Sequence, residues 1–253
     1  MKIALCISGE TRHYNKYFGP EVFITWLMSH GHSVDVFGHT WTHCDVPSSS
    51  DIIRFKELLI EDQDTVISNW VLENPEKRGW PGDFKDQAEM LNKTKAKCGQ
   101  HVGGIKSLQM PNTEDYDVFI RWRWDLTINN DVLNGKMYML DDLWLPKLEF
   151  TRTRSEPVGI TSCLSWLTAE YPSIEDTHYI FNKSAHKNLK QIDTLGAIEG
   201  IWNDGPDADF VSYHILWNYL LIRFGNIMLG TLLPDVFVFE DGWDQSKKDD
   251  IYK

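Results

Sequence analysis

The 253-residue sequence lacks the features that mark membrane-spanning, secreted and disulfide-stabilised proteins. No apolar run approaches the ~18 to 20 residues that a transmembrane helix needs. The apolar start of the chain is too short and too quickly polar for a signal peptide, so it predicts a first strand instead. The four cysteines are scattered without a C-x-x-C spacing, which favours free thiols. We therefore expect a cytoplasmic protein without an integral membrane segment.

Positive charge is also scarce, since the formal net charge is -12. General binding to nucleic acid or to anionic membranes needs a basic surface, so neither is expected. The sequence contains neither a G-x-G-x-x-G motif nor a P-loop, the two common phosphate-binding fingerprints. An anionic small ligand would need a locally basic pocket, and any cluster of arginines in this chain is therefore informative.

One such cluster occurs in residues 116–129, YDVFIRWRWDLTIN. Alternating apolar residues predict a strand over residues 116–121. Arg121, Arg123 and Asp125 follow at alternate positions, so an extended chain presents all three on one face. The guanidiniums suit a phosphate or a carboxylate, and the aspartate suits a sugar hydroxyl or a metal ion. The alternative is a structural ion pair between Asp125 and one of the arginines.

A second candidate site follows the first strand, predicted over residues 2–7. The strand ends in Ser8 and Gly9, with Arg12 three residues further on. Small residues after a buried strand let backbone N–H groups approach an anion, as in many α/β ligand sites. An ordinary strand-to-helix turn explains the same residues. Trp41, just beyond the predicted second strand at residues 33–38, is a candidate ring for lining the same cleft.

The remaining patterns predict alternating strands and helices. Helices are expected over residues 14–30, 51–61, 86–110, 184–192 and 206–224, the third of them broken or bent at its glycines. Strands are expected over residues 65–68, 176–182, 226–229 and 236–239. Residues 130–166 predict a β-rich insertion of short strands, and residues 241–253 a flexible tail. The fold class is α/β, a mixed, mostly parallel sheet in a single domain with residues 2–7 central.

The histidines near the second strand allow a metal site. His39 and His43 are four residues apart and Cys44 is adjacent, a set that includes the usual zinc ligands. A hydrogen-bonded pair of histidines is the alternative.

The order of these motifs resembles that of a loose set of sugar-transfer proteins from bacteria and large viruses. They include lipopolysaccharide-synthesis-like glycosyltransferases of the GT-A type. The resemblance covers most of the chain and rests on short motifs: S-G-x-x-R after the first strand, VDVFGHTW, YDVFIRWRWDL, EDTHYIFNKSA and PDADFVSYHILW.

The resemblance implies a Rossmann-like fold and a glycosyltransferase that moves a sugar from a nucleotide-sugar donor to a glycan or other hydroxyl acceptor. Ser8, Gly9 and Arg12 would then lie beside the nucleotide. Asp125 would contact a metal ion, Mn²⁺ or Mg²⁺, or the sugar. The sequence departs from the usual D-x-D, because Arg123 stands two residues before Asp125. Arg121 and Arg123 would instead neutralise the leaving diphosphate.

An inverting transfer needs a carboxylate that removes the acceptor proton. Asp176 is the first candidate and Glu175 the second, and both also suit the capping of a turn. Two further functions stay open: a non-catalytic nucleotide-sugar or carbohydrate-binding protein, and a metal-independent enzyme of GT-B or sulfotransferase type. Gln100, Lys106 and His178 are unranked polar candidates.

Overall fold

The structure is a computed structural model of the chain. It describes residues 1–11, 19–45, 47, 53–73, 87–124, 126–128, 137–161, 164–166, 172–174, 178–204, 216–217, 219–231 and 237–239. Among the helices of these residues, none combines the length and the apolar character that crossing a membrane requires.

A seven-stranded sheet forms the centre of the described protein. Its strands are β1 (Lys2–Ser8), β2 (Ser33–Trp41), β3 (Phe55–Glu61), β4 (Val118–Arg123), β6 (Val158–Thr161), β9 (Tyr179–Asn182) and β10 (Met228–Thr231). Their order across the sheet is β10-β6-β9-β4-β1-β2-β3. Neighbouring strands pair in parallel except on both sides of β9, which runs antiparallel to β6 and to β4. The predicted mixed, mostly parallel α/β sheet is confirmed.

Two further sheets have two antiparallel strands each. One pairs β5 (Leu126–Ile128) with β11 (Phe237–Phe239), and the other pairs β7 (Leu164–Trp166) with β8 (Pro172–Ile174). Within the described residues, therefore, no second large sheet accompanies the first.

The central strands are apolar on both faces, as their sequences predict. β1 and β4 lie side by side, and Ile3 to Ile7 and Val118 to Ile120 are fully buried. Each face of the sheet contributes to its own hydrophobic cluster, because side chains alternate along a strand. Ala4 and Phe119 belong to one cluster, Leu5 and Ile120 to the other. Such continuous apolar runs are typical of strands covered on both sides.

Helices cover both faces. α1 (Gly19–Ser29) and α4 (Met137–Thr153) pack on the face that carries Leu5 and Ile120. α3 (Gln87–Gln109), α5 (Lys183–Leu189) and α6 (Thr194–Asp204) pack on the opposite face. A short α2 (Asn69–Glu73) continues the π-helical segment Asp64–Ser68, and a second π-helical segment occupies Tyr219–Phe224.

The strand order places a topological switch point between β1 and β4. From β1 the chain proceeds outward through α1 to β2 and then to β3. It then returns through α3, on the other face, to β4 on the opposite side of β1. Connections that leave in opposite directions open a crevice beyond the carboxyl ends of the two strands, and ligands of open α/β sheets bind there.

Two predictions between the second and fourth strands are wrong. Residues 55–61 form strand β3, where a helix was expected, because their backbone pairs with β2 along the edge of the sheet. Residues 65–68 are helical, where a strand was expected. The Asp62 carboxylate accepts hydrogen bonds from the backbone N–H of Asp64 and the hydroxyl of Thr65, which starts the helical segment.

The structure also corrects the prediction of short strands at residues 137–153. They form α4, in which the buried Trp144, Leu148 and Thr151 recur at helical spacing against the sheet. Pro146 lies inside this helix with an exposed side chain. α3 likewise runs without the predicted break through Gly99, Gly103 and Gly104.

The tail at residues 241–253 lies outside the described residues, and the single domain and the insertion boundaries stay predictions.

Candidate functional site at the carboxyl edge of the sheet

The first part of the candidate site is the end of β1. Ser8 is fully buried, and its hydroxyl has no hydrogen-bonding partner among the described residues. Gly9 follows with φ of +109°, a conformation that residues with a Cβ rarely adopt. The chain turns here with a backbone that only glycine accepts without strain, beside a buried hydroxyl that lacks a partner among the described residues.

Two threonines hold the segment after β1 against the end of β2. The Thr40 hydroxyl lies 3.5 Å from the carbonyl oxygen of Gly9, and the Thr11 hydroxyl donates a 2.6 Å hydrogen bond to the carbonyl of Asp45. Both threonines are buried. The turn at Gly9 is therefore supported by β2 and by the loop that follows it.

The second part of the site is the end of β4. Ser8 and Arg123 are register partners at the carboxyl ends of the two parallel strands, and Cys6 and Arg121 are partners two residues earlier. Register partners project from the same face of a sheet. Ser8, Arg121 and Arg123 consequently share the face that α3 covers, as the alternating pattern predicts for the arginines. Arg123 is half-buried, whereas Arg121 is fully buried.

Aromatic rings and a helix enclose Arg121. Its guanidinium carbon lies 4.5 Å from the centre of the Trp217 ring and 6.0 Å from that of Tyr179. A Cβ on Gly104 of α3 would lie only 3.1 Å from Nε of Arg121. Arg121 is therefore a buried cation stacked on aromatic rings, a favourable contact once the group is removed from water.

His178 precedes β9 at the same edge of the sheet. Its imidazole is buried beside the rings of Trp122 and Trp144, with ring centres 5.8 and 5.5 Å away. Burial, and next the positive charge of Arg121, lowers the pKa of His178 to about 3. The ring is therefore neutral at physiological pH.

A second polar cluster joins β2, β3 and α3. The buried His39 donates through Nε2 to Oε2 of Glu61 at 3.0 Å, and the ammonium of Lys106 lies 2.7 and 2.6 Å from the two oxygens of that carboxylate. The hydrogen bond from His39, and with it that from Lys106, lowers the pKa of Glu61 to about 2 despite partial burial. Burial lowers the pKa of His39. We name this set the His39–Glu61–Lys106 cluster.

Sequence reasoning missed this cluster, which joins three elements of the fold and has no role in the ligand site proposed below. His39 and Lys106 were considered separately, and Glu61 was placed in a helix. The three residues are 22 and 45 positions apart along the chain, so no local spacing reveals them. Only the pairing of β3 beside β2, with α3 above, brings them together.

Trp41 ends β2 on the same face as His39. Its ring is 2 % exposed and meets His39 edge to face, with ring centres 4.7 Å apart. A Cβ on Gly99 of α3 would lie 3.4 Å from the indole nitrogen. The ring is thus packed beneath α3, and its role in lining a ligand cleft stays a prediction.

Four of the predicted site residues, Arg12, Asp125, Glu175 and Asp176, lie outside the described residues. Their roles stay predictions. Described residues border them in the chain: Thr11 follows β1, Trp124 follows β4, and His178 precedes β9. These three positions border the carboxyl edges of β1 and β4.

The described part of the chain does not assemble a metal site. No group of three His, Cys, Asp or Glu side chains converges among its residues. His39, considered as a zinc ligand, uses its Nε2 for Glu61. Arg123 stands two residues before Asp125, where a D-x-D motif would have its first acid, and its positive charge repels a divalent metal ion. Asp125, the predicted metal ligand, lies outside the described residues, so the binding of Mn²⁺ or Mg²⁺ stays a prediction.

Comparisons with known proteins give similarities of structure only. No family model matches the chain, and no curated protein matches its sequence. Solved glycosyltransferase structures align over most of its length. One is a glycosyltransferase involved in glycosylation of the major capsid of PBCV-1, with 11% identity, a TM-score of 0.42, and coverage of 99% of this chain and 98% of the other.

Two further solved structures are similar. The galactosyltransferase LgtC, in complex with donor and acceptor sugar analogs, has 10% identity and a TM-score of 0.47, covering 99% of this chain and 95% of the other. Mouse xyloside xylosyltransferase 1, in its apo form, has 8% identity and a TM-score of 0.35, covering 92% and 85%. At such identities none of these similarities assigns an activity or a residue role to this chain.

Proposed function

We propose that the protein is a glycosyltransferase that moves a sugar from a nucleotide-sugar donor to a hydroxyl group of an acceptor. The observation that carries the proposal is the pairing of Ser8 with Arg123 at the switch point between β1 and β4. The crevice of an open α/β sheet lies there. A small residue whose buried hydroxyl has no partner among the described residues, with a cation on the same face, suits a phosphorylated ligand.

The charge of the protein supports an anionic ligand at this point. Two arginines lie on one strand face in a chain whose formal net charge is -12. Their field would attract a diphosphate locally, while the rest of the surface would repel it. Gly9, with its positive φ, would bring the backbone of the turn close to the phosphate groups.

The roles of the residues follow from the chemistry of the transfer. The bond between the anomeric carbon and the diphosphate oxygen breaks, and a bond to the acceptor oxygen forms. Negative charge grows on the leaving diphosphate, and Arg123, supported by Arg121 and Arg12, would stabilise it. Asp176, or Glu175 as the second candidate, would take the acceptor proton in an inverting transfer. Asp125 would hold a sugar hydroxyl.

The test is a panel of nucleotide sugars with different bases and sugars, screened by the shift in melting temperature. A ligand that binds the folded chain stabilises it by mass action, by about 2.7 kcal/mol at a hundredfold excess over its Kd. The best donor is then incubated with and without an acceptor, and with and without Mn²⁺. Release of the nucleoside diphosphate with sugar transfer supports the proposal, and the Mn²⁺ arm reports metal dependence.

Two other outcomes separate the alternatives. Donor binding without turnover in any condition would point to a non-catalytic nucleotide-sugar-binding protein. No stabilisation by any nucleotide sugar, with a folded protein, would contradict the proposal. A GT-B-type enzyme needs a second Rossmann-like half, and the other sheets of the described residues have two strands each.

A further inference from the structure

The buried Arg121 lies in a slot that three elements of the fold build around it. Tyr179 of β9 and Trp217 supply rings at 6.0 and 4.5 Å from the guanidinium carbon. α3 supplies Gly104, whose missing side chain leaves the space that the Trp217 ring occupies. A Cβ there would lie 2.6 Å from Cζ2 of Trp217 and 3.1 Å from Nε of Arg121. Real Cβ atoms do not approach other atoms as closely as 2.6 Å.

A slot of this kind lowers the stability of the fold, so stability alone does not explain it. Removing a cation from water is expensive, and apolar residues of similar volume are often as stable in its place. Glycine inside a long helix also costs ~0.5 to 1 kcal/mol relative to alanine. Both losses of stability occur around Arg121. This residue lies two positions before the end of β4, and therefore beneath the crevice at the carboxyl ends of the strands.

We infer that Gly104 and Trp217 are positioning residues that fix the guanidinium of Arg121 beneath the crevice, so that its buried charge acts on a diphosphate bound above it. The inference rests on the proposed function and deepens it. Arg121 does not touch the ligand in this account. It contributes a preorganised positive charge from a dry site, where electrostatic interactions are stronger than in water.

The fold offers a matched pair of substitutions for the test. Gly104→Ala presses on Trp217 and Arg121, whereas Gly103→Ala presses on His39, whose Nδ1 would lie 2.7 Å from the new Cβ. The two glycines are adjacent in α3, so both changes bring the same gain in helix propensity. They differ in which buried side chain is displaced.

The binding experiment measures the affinity of pyrophosphate and of uridine and adenosine diphosphates by calorimetry, on fully folded samples. We expect Gly104→Ala to lower the affinity for pyrophosphate-containing ligands roughly tenfold, because it moves one buried charge by a few ångström. We expect Gly103→Ala to bind as the unchanged protein does. Equal affinities in all three proteins would overturn the inference.

A double-mutant cycle separates positioning from general damage. In an Arg121→Met background the charge is already absent, so adding Gly104→Ala should weaken binding no further. A further loss as large as in the unchanged background would contradict the inference, because Gly104 would then act independently of Arg121. If Arg121→Met fails to fold, the comparison of Gly104→Ala with Gly103→Ala still decides.

A readout without ligand keeps this inference distinct from the proposed function. The Nε–H of Arg121 should exchange slowly with water in NMR spectra of the unchanged protein and of Gly103→Ala, and faster in Gly104→Ala. If the unchanged protein binds no diphosphate, the proposed function fails, and so does the part of the inference that concerns ligand. If the Nε–H of Arg121 exchanges equally slowly in Gly104→Ala, Gly104 does not help to enclose the guanidinium, and the inference is contradicted.

Discussion

The two ends of the central strands differ in how completely their polar groups are paired within the described residues. At the amino end, Asp35 of β2 accepts hydrogen bonds from the hydroxyl of Tyr116 at 2.8 Å and the ammonium of Lys56 at 3.0 Å. Lys56 also donates to the Tyr116 hydroxyl at 2.7 Å, and Lys2 lies 4.8 Å from the centre of the tyrosine ring. Each charge of this amino-end network has an opposite charge or an aromatic ring beside it.

The carboxyl end is built differently. There the buried hydroxyl of Ser8 lacks a hydrogen-bonding partner within the described residues, and the chain takes a positive φ at Gly9. Two arginines stand on the face that Ser8 shares. We propose that the same strands serve stability at one end and ligand recognition at the other.

The largest effect that sharpens this comparison concerns Asp125, just beyond β4. In Asp125→Asn the shape is kept and the charge is lost. If Asp125 holds the ligand, we expect a near-normal melting temperature with turnover or sugar binding lost. If it pairs with a buried arginine, we expect destabilisation by ~3 to 5 kcal/mol, because the arginine loses its counter-charge.

Urea unfolding and donor binding, measured on the same samples, distinguish the two roles of Asp125. An unaltered unfolding free energy together with unaltered affinity would mean that neither role applies.

The next effect concerns two buried histidines, one at each end. Burial, and next the charge of Arg121, lowers the pKa of His178 to about 3 at the carboxyl end. At the amino end, burial, which outweighs a hydrogen bond to the carbonyl of Leu108, lowers the pKa of His186 to about 4. His186 also contacts the Thr113 hydroxyl at 2.8 Å.

Both histidines bind protons more tightly in the unfolded chain, whose histidine pKa is about 6.5. Their contribution to stability is therefore complete above pH 6.5 and is lost as the pH falls toward 4. At pH 5 we expect the free energy of unfolding to be lower by about 2 kcal/mol for each of the two histidines. Urea unfolding between pH 7.5 and pH 5 measures this loss. His178→Phe should remove about half of it, whereas His43→Gln, at an exposed site, should leave it. A free energy independent of pH would contradict the burial of both rings.

A smaller effect is expected from Tyr116→Phe at the amino end. The change removes the hydroxyl that donates to Asp35 and accepts from Lys56. The loss of one such hydrogen-bonding group costs about 1 kcal/mol of unfolding free energy. Chemical denaturation measures it, and affinity for nucleoside diphosphates should not change. A loss of affinity without a loss of stability would reverse the roles of the two ends.

Local patterns predicted the strands of the centre well. β1, β2 and β4 were found from their apolar runs, and the shared face of Arg121 and Arg123 from alternation alone. The same rules failed where tertiary contacts decide. Residues 55–61, FKELLIE, contain good helix formers and become an edge strand because β2 offers a partner. The residues of α4 were predicted as short strands, although the buried positions of this helix repeat at helical spacing.

The candidate site was predictable only in its strand-end residues. Ser8, Gly9 and Arg123 come directly after or within buried strands, so the sheet brings them together as expected. The slot around Arg121 depends on Gly104 and Trp217, which lie 17 residues before it and 96 residues after it in the chain. Glu61 reaches His39 only through the pairing of β3 with β2. Contacts of this kind leave no trace in local spacing.

The most direct test of the account removes one positive charge from each end of the sheet. Arg123→Ala takes it from the carboxyl end, and Lys56→Ala, the matched control, from the amino-end network. Affinity for the best nucleotide-sugar donor and for its nucleoside diphosphate is then measured by calorimetry on folded samples. The account predicts a loss of roughly 1.5 to 3 kcal/mol in Arg123→Ala and unchanged affinity in Lys56→Ala. Equal affinities in the two variants, with both folded, would contradict a ligand site at the carboxyl ends of β1 and β4.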